Sequence, residues 1–263
     1  MNDDLWAGLV DRFADGAYAT VKGRVRTSVI HRHLLEHLPT APARILDVGG
    51  GAGHQSFPLA QAGYQVTILD SSPAMLDKAR ERLDALPEQV RARVAFLRAQ
   101  GEHAEEAVHG ERFDAVLCHG VLGYLDRPEP FVEQLCRCAA EGGIVSIMTA
   151  NAHTTAVQPA LEQRWRDALA AFDDRHGVVL GLPGRADTPE ELGDLLRGHG
   201  VDPVRWYGVW LFVDWLEFSG VTLDVHDTDR VADTIAVEYE ASLRDPYRAM
   251  SRVFHLLGRK ASR

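Results

Sequence analysis

The residues best suited to chemistry are a glycine-rich turn and the two acids on either side of it. Asp47 precedes a turn that contains Gly49, Gly50, Gly51 and Gly53. Glycines let a backbone pass close beneath a bulky ligand because they carry no Cβ atom. Asp70 ends the next apolar run, where its carboxylate can accept hydrogen bonds from both hydroxyls of a ribose. This combination predicts a site for a ligand that contains a nucleoside.

A strand, a turn and a helix must hold these residues in place. The apolar run of Ile45, Leu46 and Val48 enters the turn, and a helical pattern leaves it before a second apolar run ends at Asp70. This order is the first βαβ unit of a doubly wound sheet in an α/β fold. Ligands of such sheets bind outside the carboxyl ends of the strands, so the turn marks the site.

The spacing of the glycines distinguishes two classes of ligand. A dinucleotide fingerprint requires Gly-x-Gly-x-x-Gly, and a register that starts at Gly49 places His54 where the third glycine belongs. The pattern present is Asp47-x-Gly-x-Gly-x-Gly, which resembles motif I of the class I S-adenosylmethionine (SAM) methyltransferases. The resemblance implies SAM as cofactor and a Rossmann-like, seven-stranded sheet whose last strand is antiparallel.

Composition limits the possible classes of protein. The chain has 263 residues, 46% of them hydrophobic, and we read residues 1–263 as a single domain with a full core. A net charge of −10 argues against a protein that holds nucleic acid by charge alone, although it permits a local basic face. Three cysteines fit a reducing compartment and lack zinc-site spacing, so no metal is expected. We expect a cytoplasmic protein with no membrane association, because the N-terminus is acidic and no apolar run is long enough to span a bilayer.

The remaining pattern predicts alternating helices and strands. Two helices, one with Leu5, Leu9 and Phe13 and one over residues 25–38, flank the basic turn YATVKGRVR and make residues 1–40 a helical lid. Ser72 and Pro73 are the expected N-cap and first residue of a later helix. Gly142 and Gly143 should end another. Strands are expected at 94–100, 114–119, 144–151, 204–216 and 251–260, and helices at 128–141 and 229–243.

An inserted segment over residues 154–205 is the expected substrate cap. Its helical patterning is interrupted by GVVLGLPGRADTPEE, in which Thr188 begins a new helix. The lid has a use of its own if it folds over the cofactor. Arg26 in the lid could then pair with the carboxylate of the methionine part of SAM, because a guanidinium matches a carboxylate in bidentate fashion.

A closer resemblance extends over nearly the whole chain and is weakest over residues 154–205. The segments FADGAYATVKGRVR, LDVGGGAG, LCHGVLGYL, ANAH, RDPYR and RVFHLLGRK together resemble the tRNA 5-carboxymethoxyuridine methyltransferases. Members of that family convert the carboxymethoxy group of the wobble uridine into its methyl ester. The resemblance implies that SAM is bound by Arg26, Gly50, Gly51, Asp70, Ala99, Gln100 and His119.

The acceptor determines which further residues the reaction needs. A carboxylate has a reference pKa near 4, so it is ionised at neutral pH and needs no general base. Tyr18, Asn151 and His153 are then the expected donors to it. A phenol or amine would instead need a base near pH 7, and His119 or His153 would be the candidates.

Two alternatives to tRNA remain open at this stage. The aromatic residues Trp206, Tyr207, Trp210 and Trp215 could line the pocket of an O- or N-methyltransferase of a small metabolite. A non-catalytic SAM-binding module is the second alternative. The tRNA-modifying family tends to have a stretch rich in lysine and arginine that suits phosphate contacts, and this chain has ALAAFDDRHGVVLGLPG in its place. This difference counts against tRNA, which stays a possible partner. The oligomeric state also stays open.

Overall fold

The structure, a computed structural model, describes residues 16–179 and 182–262. The first expected helix, with Leu5, Leu9 and Phe13, lies outside the described residues. The described strands are β1 (Arg44–Val48), β2 (Gln65–Asp70), β3 (Val94–Arg98), β4 (Phe113–His119), β5 (Ala139–Ala150), β6 (His176–Val179), β7 (Leu182–Arg185), β8 (Val201–Val209) and β9 (Val253–Lys260). The described α-helices are α1 (Val21–His37), α2 (Ser56–Gln61), α3 (Pro73–Asp84), α4 (Glu88–Arg91), α5 (Ala104–Ala107), α6 (Glu129–Cys138), α7 (Val157–Leu161), α8 (Trp165–Ala170), α9 (Pro189–Gly198), α10 (Phe212–Phe218) and α11 (Thr228–Leu243).

Seven of these strands form one sheet in the order β3-β2-β1-β4-β5-β9-β8. Strands β1 to β5 run parallel, and β9 runs antiparallel to both β5 and β8. The expected doubly wound sheet with an antiparallel last strand is therefore confirmed. Asp47 on the central strand pairs with Ile68 of β2 and Leu117 of β4, so the carboxyl ends of three strands meet at one edge.

Helices cover both faces of the sheet. Ile30 and Leu34 of α1 are fully buried in the cluster that also contains apolar residues of α2 and α3. The opposite face packs against α5, α6 and α9. A three-layer α/β architecture results, and both clusters are nearly inaccessible to water. The described helices include none that is both long enough and apolar enough to cross a membrane.

Two helix starts agree with the sequence analysis. Ser72 Oγ accepts a hydrogen bond from Met75 N at 3.3 Å, with Pro73 as the first residue of α3. Thr188 Oγ1 accepts one from Glu191 N at 3.1 Å at the start of α9. Both side chains satisfy backbone N–H groups that the first helical turn leaves unpaired.

Three predicted boundaries are wrong. The fifth strand begins at Ala139 rather than 144, because Ala139 pairs with Phe113 before the register shifts, and Gly142 and Gly143 lie within β5 instead of ending the helix. The predicted strand over 204–216 stops at Val209, and its second half is α10. The basic turn is short, because Val21 to Arg26 lie in α1.

The cap expected over 154–205 is shorter in the structure. The described residues of 154–179 and 182–187 include α7, α8 and the antiparallel strands β6 and β7, which make a separate two-stranded sheet. Helix α9 and strand β8 belong to the main body, where Leu192 and Leu196 are buried against the large sheet.

Candidate functional site

A cavity of about 740 Å³ lies at the carboxyl ends of β1, β2 and β4, where the sequence predicted the site. Its size falls within the range of small-molecule pockets, roughly 300–1,000 Å³. The wall includes every predicted cofactor residue except the glycine at 53: Arg26, Asp47, Gly49, Gly50, Gly51, Asp70, Ala99, Gln100 and His119. The structure therefore brings nine positions from five elements and their loops into one cavity.

The glycine turn has a backbone that only glycine adopts without strain. Gly49, Gly51 and Gly53 have φ values of 74°, 52° and 77°, in the left-handed region. A Cβ atom on Gly50 would lie 2.9 Å from the carboxylate of Asp47. The turn is thus tightly packed beneath the cavity, and Gly53 supports it without lining the cavity.

Asp47 anchors this turn from below. Its carboxylate is buried and accepts a hydrogen bond from Ser56 Oγ at 2.6 Å. Burial raises the pKa of Asp47 to about 6, against the opposing effects of the Ser56 hydrogen bond and the Arg26 charge. Ser56 begins α2, so this bond links β1 to the helix that follows the turn.

Asp70 is oriented for a ligand with two hydroxyls. Oδ2 accepts from Gly51 N at 2.9 Å and Oδ1 accepts from Ser72 N at 2.8 Å. These bonds fix the carboxylate at the end of β2, and an ionised carboxylate can accept about four hydrogen bonds. Asp70 can therefore accept hydrogen bonds from ribose hydroxyls while it holds the turn.

The backbone after β3 suits a flat ring. Ala99 and Gln100 line the cavity, and Ala99 N donates to Asp70 O at 3.2 Å. Gly101 follows them directly against the ring of Phe131, which leaves no room for a Cβ atom there. An adenine ring fits this position, next to the acid that would bind its ribose.

The surroundings of Arg26 indicate whether the methionine part of SAM would fit the cavity. Its side chain is only 5% exposed, and Nη2 donates to His119 O at 3.2 Å. The guanidinium lies 5.0 Å from the ring centre of Tyr18 and makes no ion pair with a carboxylate in the described part of the chain. A buried guanidinium of this kind is normally paired with an anion, so the carboxylate of SAM matches the site.

Tyr124 and Gln55 line the cavity and were not predicted, and Trp210 was expected only as part of the pocket of a small-molecule methyltransferase. Trp210 also lines the cavity and has a φ of 63°, which is rare for a bulky residue and typical of a strained site. Gln55 is 4% exposed, and neither amide atom has a hydrogen-bond partner among the described residues. Gln55 lies two residues after Gly53 of the glycine motif, and this position could have indicated that it lines the cavity. No sequence signal separates the two aromatic residues from core residues.

Neutral donors dominate the part of the cavity away from the ribose site. Tyr18 is stacked on His54 with 3.6 Å between ring centres. Burial raises the pKa of Tyr124 to about 12, so its hydroxyl stays protonated at neutral pH. Met148 and Val253 complete an apolar wall beside these aromatic residues.

His119 lines the cavity but is not a base near neutral pH. Burial lowers its pKa well below the usual value, and the nearby His255 and Arg26 lower it further. Its Nε2 lies 2.9 Å from Ser146 Oγ in the core. The imidazole is therefore neutral, and only a small fraction of it is exposed.

Asn151 and His153, expected at the acceptor, do not line the cavity. Asn151 Nδ2 donates to Ala249 O and Ser251 O, and its Oδ1 accepts from His153 N, so its amide joins two loops. His153 is half exposed and lies 3.4 Å from Glu190 on the outer surface. Of the three expected acceptor residues, only Tyr18 lines the cavity.

Four of the basic residues near the two ends of the chain form ion pairs with acids. Lys22 contacts Asp214 and Glu217. The ion pairs of the C-terminal arginines are Arg244 with Glu240, Arg248 with Asp245 and Arg252 with Asp214. None of the described residues from 154 to 205 lines the cavity. No cluster of three or more metal-ligating side chains occurs in the described ranges.

Comparison with known proteins gives a consistent result. A family described as "Methyltransferase domain" matches residues 46–145. The tRNA 5-carboxymethoxyuridine methyltransferase of Escherichia coli (strain K12) is 24% identical over 99% of this chain and 97% of its own length. A ubiquinone biosynthesis O-methyltransferase of Cereibacter sphaeroides is 31% identical over 68% of each protein.

A solved structure gives the same fold. Magnesium protoporphyrin IX methyltransferase from Synechocystis PCC 6803, with bound S-adenosylhomocysteine (SAH), superposes with a TM-score of 0.58. The match covers 92% of this chain and 86% of that one at 14% sequence identity.

Proposed function

The chain belongs to the class I SAM-dependent methyltransferases, and from this premise we propose that it methylates the carboxylate of 5-carboxymethoxyuridine at the wobble position of tRNA. SAM is the cofactor, and it would supply a methyl group whose carbon the acceptor oxygen attacks in line, while the carbon–sulfur bond breaks and the sulfur leaves as the neutral thioether of SAH. Arg26 would hold the carboxylate of its methionine part and Asp70 its ribose. Ala99 and Gln100 would hold its adenine.

The observation that carries the carboxylate acceptor is that neither histidine expected as a general base can act at the cavity: His153 lies on the outer surface, and His119 is neutral. His119 has a strongly lowered pKa, and the phenol of Tyr124 stays protonated because burial raises its pKa to about 12. A hydroxyl or amine acceptor would need a group that takes its proton near pH 7. A carboxylate is already ionised, and it needs donors of the kind that Tyr18 and Tyr124 provide. The task left to the protein is alignment of two reactants and exclusion of water.

Two observations support an acceptor carried by a macromolecule. The E. coli tRNA-modifying enzyme matches nearly the full length of both proteins, including the segments on either side of the cap. The described cap residues do not line the cavity, which is compatible with a nucleotide presented on a larger molecule. Enclosure by the cap would instead favour a small metabolite.

Mass spectrometry of tRNA from a strain that lacks the gene tests this function. We expect the wobble nucleoside to accumulate as the free acid and its methyl ester to disappear. Complementation with the wild-type gene should restore the ester, and complementation with Asp70→Ala should not. An unchanged set of wobble nucleosides would contradict the proposal.

A small-molecule O-methyltransferase is the second candidate. The similarity to a ubiquinone biosynthesis O-methyltransferase favours it, together with the apolar wall of Met148, Trp210 and Val253. A phenolic acceptor makes a different kinetic prediction. Its rate should rise with pH as the phenol or its base loses a proton, whereas the rate with a carboxylate acceptor should be flat from about pH 7 to about 9.

A further inference from the structure

Five side chains form a continuous hydrogen-bonded chain from the cavity through the core to α11. His119 Nε2 lies 2.9 Å from Ser146 Oγ, which lies 2.7 Å from His255 Nε2. His255 Nδ1 lies 3.3 Å from His33 Nδ1, and His33 Nε2 lies 2.8 Å from Ser242 Oγ. Four of the five are at most 1% exposed, and His119 is 8% exposed.

The three imidazoles are neutral, which limits how the chain can be arranged. Burial lowers the pKa of His33 to about 2 and that of His255 to about 3, and it lowers the pKa of His119 well below its usual value. A neutral imidazole has one N–H donor and one acceptor nitrogen. The direction of one hydrogen bond therefore determines the direction of the next, and only two arrangements satisfy the whole chain.

Ser242 selects between these two arrangements. Its hydroxyl donates its only hydrogen to Tyr239 O at 2.6 Å, within α11. Ser242 Oγ must then accept a hydrogen bond from His33 Nε2–H. His33 Nδ1 carries no proton, so it accepts from His255 Nδ1–H.

The directions of the remaining hydrogen bonds, from His255 to the cavity, are fixed in the same way. His255 Nε2 carries no proton and accepts from the hydroxyl of Ser146. Ser146 Oγ in turn accepts from His119 Nε2–H. His119 Nδ1 is therefore an unprotonated acceptor, and it is buried without a hydrogen-bond partner among the described residues.

We infer that Ser146, His255, His33 and Ser242 are positioning residues that hold His119 Nδ1 as a hydrogen-bond acceptor and so select a ligand with an N–H or O–H donor at that point. The methionine part of SAM carries such a donor in its ammonium group, whereas a carboxylate acceptor carries none. The ammonium is therefore the expected partner. The inference rests on the cofactor of this family and not on the identity of the methyl acceptor.

The variant His255→Leu tests this series of hydrogen bonds, because the substitution should reverse their direction. Without the His255 nitrogen, the only described acceptor in the chain for the Ser146 hydroxyl is His119 Nε2. His119 would then carry its proton on Nδ1 and present a donor to the ligand. We expect about a tenfold loss of affinity for SAH in calorimetry, the lower end of what a hydrogen bond to a charged group contributes. Affinity for 5′-methylthioadenosine, which lacks the amino acid, should not change.

Two further variants separate positioning from simple packing. His255→Gln keeps an acceptor near Nε2 and should retain most of the affinity for SAH. Phe254→Leu removes buried volume at the neighbouring position of β9, in the cluster on the opposite face of the sheet, and should lower stability while leaving affinity for SAH unchanged.

Histidine ring ¹⁵N NMR tests the inference on the wild-type protein alone. We expect His119 to be neutral with its proton on Nε2 in the SAH complex. A proton on Nδ1, or His255→Leu with the same affinities as Phe254→Leu, would overturn the inference. Wild-type protein that fails to bind SAH would instead contradict the proposed function, so the two failures are distinguishable.

Discussion

Arg26 is the buried cation that we expect to bind the carboxylate of SAM at the candidate site. The helix that carries it buries the guanidinium beneath Tyr18 and directs Nη2 to the backbone carbonyl of His119. Sequence alone identified Arg26 because it lies in a lid segment with a recognisable pattern. The neighbouring Arg24 differs from Arg26 in the structure, because it is exposed and donates to Val225 O.

Arg26→Gln should weaken SAH binding about 10-fold to 100-fold. The change removes charge-assisted hydrogen bonds to the carboxylate, each of which contributes about 1.5–3 kcal/mol. Calorimetry with SAH measures this loss. Binding of 5′-methylthioadenosine should be unaffected, and Arg24→Gln is the matched control that should bind both ligands normally. Equal weakening of both ligands by Arg26→Gln would show that Arg26 acts on the fold and not on the carboxylate.

The raised pKa of Asp47 predicts that the free energy of unfolding depends on pH. Burial raises the pKa of Asp47 to about 6 in the folded protein, compared with about 3.9 for an unperturbed aspartate. The folded state therefore binds the proton more tightly, and this contribution is fully present below about pH 4 and lost as pH rises through about 6. Between these limits wild-type protein should lose roughly 3 kcal/mol of unfolding free energy relative to Asp47→Asn.

Urea unfolding at about pH 4 and about pH 7 measures the effect of Asp47. The result of interest is the change in the difference between Asp47→Asn and wild type, because other acids contribute equally to both. A difference that is the same at both pH values would contradict a raised pKa for Asp47.

Secondary-structure elements were predictable where local chemistry defines them. Ser72 and Thr188 were recognised as helix starts because a short side chain that caps a helix leaves a signature in sequence. The end of strand β8 at Val209 was not recognised from the sequence. Helix α10 begins where the buried carboxylate of Glu238 accepts from Leu211 N and Val213 N, and that acid comes from α11, outside the local sequence.

Thr188→Ala should destabilise the protein by about 1 kcal/mol through loss of the α9 cap. Thr188 Oγ1 accepts from Glu191 N, and the Glu191 carboxylate accepts in return from the backbone N–H of Thr188, which is the reciprocal arrangement of a capping box. Urea unfolding provides the measurement. Thr234→Ala is the matched control, because its hydroxyl bonds Arg230 O inside α11 and caps nothing. If both variants had the same midpoint, the cap would be contributing nothing.

At the scale of the whole molecule, the sheet order and the cavity followed from the first βαβ unit. Parallel strands that feed one edge must bring Asp47, Asp70 and His119 together, so sequence order was sufficient. The residues that contact the methyl acceptor were not predictable in this way. Asn151 follows a strand that ends at the same edge, but its amide is used to join the loops at 249 and 251. Long-range pairing of this kind leaves no periodic signal.

The distribution of charge is also a property of the whole molecule. Sequence clusters of arginine and lysine suggested a basic face, whereas the fold pairs four of them with acids of the same chain. Recognition of tRNA would therefore depend on the shape of the cavity mouth and on the carboxymethoxy group more than on a broad positive surface.

Transfer of a radiolabelled methyl group to tRNA tests the central claim most directly. Purified protein is incubated with methyl-labelled SAM and tRNA that carries 5-carboxymethoxyuridine, and the product is treated with mild alkali. A methyl ester releases its label as volatile methanol, whereas a methyl ether or methylamine keeps it. We expect label in tRNA that alkali converts to methanol; label that resists alkali, or no label in tRNA, would contradict esterification of the wobble carboxylate.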